Sequence, residues 1–470
     1  LKALGARQGV LVRQYLSESL LMALLSLLVA VLIVAVLLPQ FNAITGKSLT
    51  LGFDLSFSLA LLVVVLFTGL LAGSYPALYL SRFTPSAILK GRLSGVVGEL
   101  MARKGLVMFQ FALSVILIVS VSVVYQQISF IETRSLGYDK DNIVFITREG
   151  ATHGKEDVFI AELEKIPGVI GASSTGHDMT GHNGGSYGIQ WAGKDPNDRT
   201  EFERFAVNHG LIELLGIEMK EGRSFSREFT ADTAKIILNE GAIAFMSMED
   251  PIGKKVILWG TEMEIIGVTR DFNFESFHEP VKPAFFYLNP MQAGSMIVKI
   301  EGGKELATMA RIEEFYKVFN PGFPLTYRFL DQDYQQLYES ERRVATLSKY
   351  FAGLAILISC LGLYGLAAFT AERRMKEIGI RKVLGSTNSG IVFLLSGEFT
   401  RIVVVAVALA LPLSYFIASK WLENFVFRIS LEWWFFAGAG AAALFIAWIT
   451  VGIQTYKAAR VNPTHCLRSE

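Results

Sequence analysis

Gly105-Leu-Val-Met-Phe-Gln-Phe-Ala-Leu-Ser-Val-Ile-Leu-Ile-Val-Ser-Val-Ser-Val-Val-Tyr-Gln-Gln-Ile-Ser-Phe130 runs its whole length without a charged residue. Wound as a helix at 1.5 Å per residue, it exceeds the roughly 30 Å of a bilayer's hydrocarbon layer. Five more uncharged runs lie at 19–38, 55–80, 350–370, 402–419 and 433–456. One such run can be a buried core helix. Six of them, in a chain that is 51% apolar and 19% charged, predict an α-helical integral membrane protein with six transmembrane helices. The Gly and Pro residues inside the runs (Gly69, Gly73, Pro76, Pro412, Gly438, Gly440) are tolerated in membrane helices.

Orientation follows from Lys and Arg in the short connections. One side carries 17 of them, among them Arg13, Arg82, Lys104, Arg373, Lys382 and Lys457, whereas the opposite short loops hold Lys47, Lys420 and Arg428. The basic side is expected to be cytoplasmic. The 131–345 stretch then lies outside, as one large α+β extracytoplasmic domain. Net charge is +1, and there is no basic tract to suggest nucleic acid as a partner. Cys360 sits in a membrane run and Cys466 in the cytoplasmic tail, so no disulfide framework is expected.

The chain repeats itself. Lys2-Ala-Leu-Gly-Ala6 returns as Lys382-Val-Leu-Gly-Ser386, each ahead of an apolar run and each followed by a glutamate at the same offset, Glu18 and Glu398. At the far end of each copy, Ser81-Arg-Phe-Thr-Pro-Ser-Ala-Ile-Leu-Lys90 matches Ala459-Arg-Val-Asn-Pro-Thr-His-Cys-Leu-Arg468. Repeats of membrane segments are a common way to build transport proteins. Because Leu1 falls inside the first copy's motif, a preceding N-terminal portion is expected.

The outer stretch reads as mixed α and β. Strand patterns at 142–147 and 169–174 flank a helix expected to bury Val158, Phe159, Leu163 and Ile166. A second β-α-β unit has strands at 295–300 and 324–329 around a helix with Leu306, Met309, Ile312 and Phe315. Together they predict a small sheet with helices on it. A strand-rich insert lies between them, at 204–207, 235–238, 255–258 and 263–268. The polar segment 331–343 holds no breaker and predicts one continuous helix with the fourth membrane run, a rod spanning 331–370.

Several motifs yield to plainer readings. Gly46-Lys-Ser48 ends like a P-loop, but Phe41 stands where its first glycine belongs, so no nucleotide site or cofactor is expected. His177-Asp-Met-Thr-Gly-His182 sits among glycines with no third ligand at a specific spacing, and reads as a polar loop rather than a metal site. No nucleophile motif is present, so no catalytic residue is expected and the chain is not read as an enzyme. Asp271-Phe-Asn-Phe274 reads as a packed turn. Glu372-Arg-Arg-Met-Lys-Glu-Ile-Gly-Ile-Arg-Lys-Val-Leu-Gly385 is different. Two acids, five bases and an apolar face from Met375, Ile378 and Ile380 predict a short amphipathic helix suited to docking a cytosolic partner. Gly379 and Gly385 are positioned to kink or end it.

With the 361–370 segment ahead of it and Asn462-Pro463 behind, this motif resembles the FtsX-like permease family of ABC transporters. The outer stretch resembles the family's MacB-like extracytoplasmic core, through Leu215-Gly-Ile-Glu-Met-Lys-Glu-Gly-Arg-Ser-Phe225, Leu238-Asn-Glu240, Asp250-Pro-Ile-Gly-Lys254 and Ile266-Gly-Val-Thr-Arg-Asp-Phe272. The chain looks like the C-terminal portion of a long permease that fuses two such units. The resemblance implies a truncated coupling helix of the first unit at 1–14 and two transmembrane helices at 15–80. A cytoplasmic linker (81–104) and a transmembrane helix (105–130) lead into the outer domain. A transmembrane helix (346–371), a coupling helix (372–398), two transmembrane helices (399–456) and a cytoplasmic tail (457–470) follow it. It also implies a permease of the bacterial inner membrane that transmits ATP hydrolysis by a separate cytosolic ABC ATPase to its outer domain, for export or extraction of a substrate at the outer face. The alternative it leaves open is a regulator of a cell-wall hydrolase or sensor partner that moves no cargo. Implied partners are two ATPase copies, membrane lipid and an extracytoplasmic protein or cargo. By carry-over, Glu377, Gly379, Arg381, Lys382, Leu384 and Gly385 would face the ATPase in the second half, and Lys2, Leu4 and Gly5 in the first.

Overall fold

The computed structural model describes residues 8–80, 96–181, 184–292 and 294–460. In chain order its helices begin with α1 (Gln8–Thr45), α2 (Leu55–Leu80) and α3 (Val96–Thr133). Six of the helices are long and apolar enough to cross a membrane, and each contains one of the six uncharged runs. Next come β1 (Ile143–Thr147), α4 (Glu156–Leu163), β2 (Val169–Thr175), β3 (Gly185–Ser186), β4 (Ile189–Gln190) and β5 (Phe202–Val207). They are followed by α5 (Leu211–Leu214), β6 (Met219–Gly222), β7 (Lys235–Asn239), α6 (Glu240–Met246), β8 (Lys255–Leu258), β9 (Thr261–Thr269) and β10 (Ala284–Leu288). The domain closes with β11 (Ser295–Ile300), α7 (Glu305–Phe319), β12 (Tyr327–Phe329) and α8 (Leu330–Leu337). The last four helices are α9 (Glu339–Arg373), α10 (Met375–Val383), α11 (Asn388–Leu422) and α12 (Trp433–Ala459). The chain divides into two compact units, a membrane unit (1–122, 343–415, 432–470) and an outer unit (123–342, 416–431).

In the membrane unit, α3, α9, α11 and α12 share a core of Phe111, Leu363, Leu366, Phe399, Val403 and Val451. Helix association in lipid relies on close approach and hydrogen bonds rather than hydrophobicity. Accordingly, Ser114 and Ser359 hydroxyls meet at 3.0 Å where α3 crosses α9. In the α1–α2 pair, Gly69 and Gly73 form a G-x-x-x-G seam. A Cβ there would lie 2.7 Å from the Leu20 side chain and 2.8 Å from Ser19 Oγ, so only glycine lets the helices come this near.

The outer unit is built on one continuous sheet of twelve strands, ordered β12-β1-β11-β2-β5-β10-β7-β9-β8-β4, with β3 beside β5 and β6 beside β9. The expected small sheet is therefore corrected. The two β-α-β units interleave into a four-stranded antiparallel frame, β12-β1-β11-β2, the split β-α-β arrangement. The insert continues this sheet, because β5 joins β2 through the single residue pair Thr175–Val207. Helices α4 and α7 cover one face of the frame with Phe159, Leu163, Met309, Ile312 and Tyr316. Of the expected apolar stripes, Phe159, Leu163, Met309 and Ile312 are buried as read, but one member of each is not. Val158 is 56% exposed and Leu306 is 90% exposed, while Ile160 and Tyr316 are buried in their place. On the opposite face, Phe145 and Ile297 of the frame share a core with Phe205, Ile237 and Phe286 of the insert.

The predicted rod is also corrected. The helix breaks at Tyr338 (φ −113°, ψ 16°), between α8 and α9. The cause is tertiary. The Phe277 N–H donates to the Tyr338 hydroxyl at 2.7 Å, and the ring is buried against Tyr334.

Candidate functional site

Within the segment expected to dock a partner, Met375–Val383 forms α10. Glu377 sits in its first turn and Arg381 and Lys382 in its last, matching the helix dipole at both ends. Glu377 also pairs with Arg381 at 2.8 Å, one turn on. The helix stops at Gly385, whose φ of +94° is open to glycine at no steric cost. There the Gly385 N–H donates to the Lys382 carbonyl and the Ser386 N–H to the Arg381 carbonyl, each at 3.0 Å, closing a Schellman-type cap.

One residue pins this helix. Ile378 packs against Ile391 and Leu395 of α11 and Ala459 of α12. The expected apolar face narrows accordingly, since Ile380 lies on the other side of the helix and is 52% exposed. Gly379 is buried beside Ile378, so of the expected partner-facing set it belongs to the packed face. Lys382 is half-buried, whereas Glu377, Arg381, Leu384 and Gly385 are exposed. Val383, Leu384 and Phe393 add large apolar groups to the same exposed end. Lys2, Leu4 and Gly5 lie outside the described residues. Reading the sequence alone missed the partner of Glu398. Arg374, at the bend between α9 and α10, reaches it at 2.6 Å. The recurrence of a glutamate at this offset was the available signal.

A second constellation gathers in the outer unit. Gln127, fully buried near the end of α3, donates from Nε2 to the Phe427 carbonyl and accepts at Oε1 from the Ile429 N–H, both at 2.9 Å. One amide thereby holds the loop 423–431 by two backbone groups. The same loop is bound on its other side, where the Val426 N–H donates to the Phe277 carbonyl at 3.1 Å. Phe427 meets Phe277 edge-on at 5.3 Å and Phe425 stacks on His278 at 4.1 Å. Arg134 lies over the Phe427 ring at 4.6 Å. His278 Nδ1 stands 2.8 Å from the Asn424 carbonyl, so Nδ1 carries the hydrogen. The turn expected at Asp271-Phe-Asn-Phe274 is packed, with Phe272, Phe274 and Phe277 all buried. Its contact with the 423–431 loop was not foreseen. Polar Gln126-Gln127 inside an uncharged run was the overlooked signal, since polar side chains in such runs face partners.

The histidine loop takes a structural role. His177 Nδ1 accepts from the Ala206 N–H at 3.1 Å and packs edge-on against Phe205, while His182 lies outside the described residues.

Residues 350–463, running from α9 through α12, match the FtsX-like permease C-terminal family. The chain is 21% identical over 283 residues to the uncharacterized ABC transporter permease YknZ of Bacillus subtilis, covering 56% of this chain and 69% of YknZ. It is 22% identical over 290 residues to the macrolide export ATP-binding/permease protein MacB of Sodalis glossinidius, covering 58% of this chain and 44% of that protein. Among solved structures, the periplasmic region of MacB from Actinobacillus actinomycetemcomitans aligns over 43% of this chain and 94% of its own, with TM-score 0.31 and 17% identity. The extracellular domain of YknZ from Gram-positive bacteria aligns over 40% and 98%, with TM-score 0.30 and 15% identity. Six membrane-length helices and a mixed α/β outer unit thus accompany a C-terminal match, over α9–α12, to the FtsX-like permease family.

Proposed function

We propose that this chain is the permease part of an ABC transporter of the bacterial inner membrane, and that a separate cytosolic ATPase docks on α10. Hydrolysis would then move the outer domain by mechanotransmission, for export or extraction of a substrate at the outer face. The observation that carries this reading is α10 itself. It is dipole-matched and capped, and it is pinned to the bundle through Ile378 while Glu377, Arg381, Val383 and Leu384 stand free of the bundle. A helix held on one face and presenting charge and apolar groups on the other suits partner docking. In this reading the 17-residue basic flank is cytoplasmic, 131–345 is extracytoplasmic, and pseudo-two-fold symmetry calls for two ATPase copies.

The test is affinity purification of the full-length gene product from native membranes, with every companion identified. A co-purifying ATPase with Walker motifs is the expected result, and clean recovery without one, under conditions that preserve other complexes, overturns the reading. An outer-side hydrolase recovered alongside the ATPase, with no cargo, would instead support the regulatory alternative. Gly385→Pro and Glu377→Arg should each insert normally yet lose coupled ATP hydrolysis. Coupling at the wild-type level in both would show that the docking surface lies elsewhere.

A further inference from the structure

The sheet of the outer unit leaves an edge open in its interior. β2 is seven residues long and pairs with β11 along one side. On its other side it meets β5 only at Thr175 and Val207, with the Asn208 N–H donating to the Ser174 carbonyl beside that pair. Past Val207 the chain turns away and Gly210 leads it into α5. Backbone groups of a strand alternate in direction, so Ala172 faces the same side as Ser174, where no strand of the described residues lies. The Ala172 N–H finds only Glu164 Oε1, at 3.4 Å, a long bond beside the ordinary ~2.9 Å. Helix α4 flanks this edge on one face of the sheet and α5 on the other, leaving a slot of about 590 Å³. Ile160, Ile170 and Leu214 give the slot apolar walls, and Ile170 is 63% exposed. Glu164 and Glu213 open into it, and neither pairs with a cation among the described residues. Its own cations are engaged, Arg227 by Asp157 at 3.1 Å and Lys299 by Asp139 at 3.0 Å.

We propose that this slot is a strand-addition site, in which an extended, basic and apolar segment of a separate protein lays its backbone along β2. The segment supplies the ladder partners that Ala172 lacks, replacing the long bond to Glu164 with a backbone acceptor, the mode known as β-augmentation. Side chains of an added strand point alternately to the two faces, and each face meets the same chemistry. On one side stand Ile160 and Glu164 of α4, on the other Leu214 of α5 and its neighbour Glu213. The two carboxylates call for Lys or Arg on both faces of the segment, and the apolar walls call for aliphatic residues beside them. An acidic segment would meet unpaired carboxylates and cations that already have partners. The inference does not rest on the ATPase reading, and it gives the outer unit a partner of defined chemistry.

The experiment titrates the full chain in detergent with the capped peptide Val-Val-Lys-Lys-Val-Val-Lys-Lys, up to millimolar concentration, and follows amide exchange. This pattern places valine and lysine on both faces of the strand. Bound peptide should slow exchange at Ala172 by roughly tenfold and leave β12, at the far edge of the frame, unchanged. Glu164→Gln with Glu213→Gln, both at exposed positions, should weaken binding by about fivefold or more. Two further peptides carry N-methyl groups on alternate amides, one on the odd positions and one on the even. A strand turns only one of these sets toward β2, so one peptide should lose binding and the other keep it. Equal binding of both would mean that charge alone holds the peptide, and it overturns strand addition. So does the absence of protection at Ala172, and so does equal binding of the counterpart with Glu in place of Lys. Should the double variant fail to fold, the methylated pair decides on the unaltered protein.

Discussion

Glu398 and Arg374 are each about one-third exposed, 35% and 34%. Screening and side-chain entropy hold such a pair to about 1 kcal/mol or less of stability. What it does is tie the bend between α9 and α10 to α11. Arg374→Glu should therefore leave the melting temperature almost unchanged while lowering ATPase stimulation, and the exchanged pair Arg374→Glu with Glu398→Arg should recover it. Equal stimulation in the single variant would remove the pair from the mechanism. His177 gives a pH prediction of definite sign. Burial, and after it the Arg204 guanidinium, push its imidazole down to about 4, with Asp178 opposing. Unfolded histidine binds its proton near pH 6.5, so between those values the unfolded state holds more protons than the folded one. The outer unit is then fully stabilised above pH 6.5 and loses stability as pH falls toward 4, by up to roughly 3 kcal/mol. Melting of the full chain in detergent at pH 7 and pH 5 should show this slope, and His177→Asn should flatten it. An undiminished slope in that variant would assign the effect to another group.

At the scale of elements, the contrast between what the sequence reveals and what it conceals has local causes. The membrane helices are legible because each is a run of uniform character, and strands such as β11 are legible because apolar residues cluster between turn signals. The break before α9 is not. Residues 331–343 carry helical character with no Gly or Pro, and the interruption comes from Phe277, some sixty positions earlier, donating to Tyr338. Tyr338→Phe should cost about 1–2 kcal/mol, since it leaves a buried N–H without its partner. Denaturant unfolding of the full chain would measure it. One expected member of each stripe, Val158 on α4 and Leu306 on α7, is exposed for a related reason. Both lie in the first turns of their helices, where periodicity admits neighbouring faces and packing against β1 and β11 chooses between them. The end of α10 was legible, because Gly385 follows the last periodic residue. Gly385→Ala forces a side chain into φ +94° and should cost about 1–2 kcal/mol, read as lowered melting with the outer unit unaffected in exchange.

Taken as a whole, the molecule was half readable. Glu377 and Arg381 announced themselves as a charged motif and do stand exposed. The 423–431 loop could not be read, because its meaning lies in which distant residues it touches. Gln127 is about 300 positions away in sequence from both backbone groups it holds, and hydropathy carries no record of that pairing. If the repeat has the symmetry proposed for it, native mass spectrometry of the intact complex should give two ATPases per permease. A single ATPase would break the symmetry argument while leaving α10 as a docking surface. One further consequence follows from the junction between frame and insert. Thr175 and Val207 are the only ladder pair between β2 and β5, flanked by the Gly176–Ala206 and Asn208–Ser174 backbone bonds. One face of the sheet has a shared core beneath that junction, and the other carries two separate cores. Pairing between frame and insert is therefore thin along that line, and the core they share on one face is what chiefly holds the two halves of the sheet together.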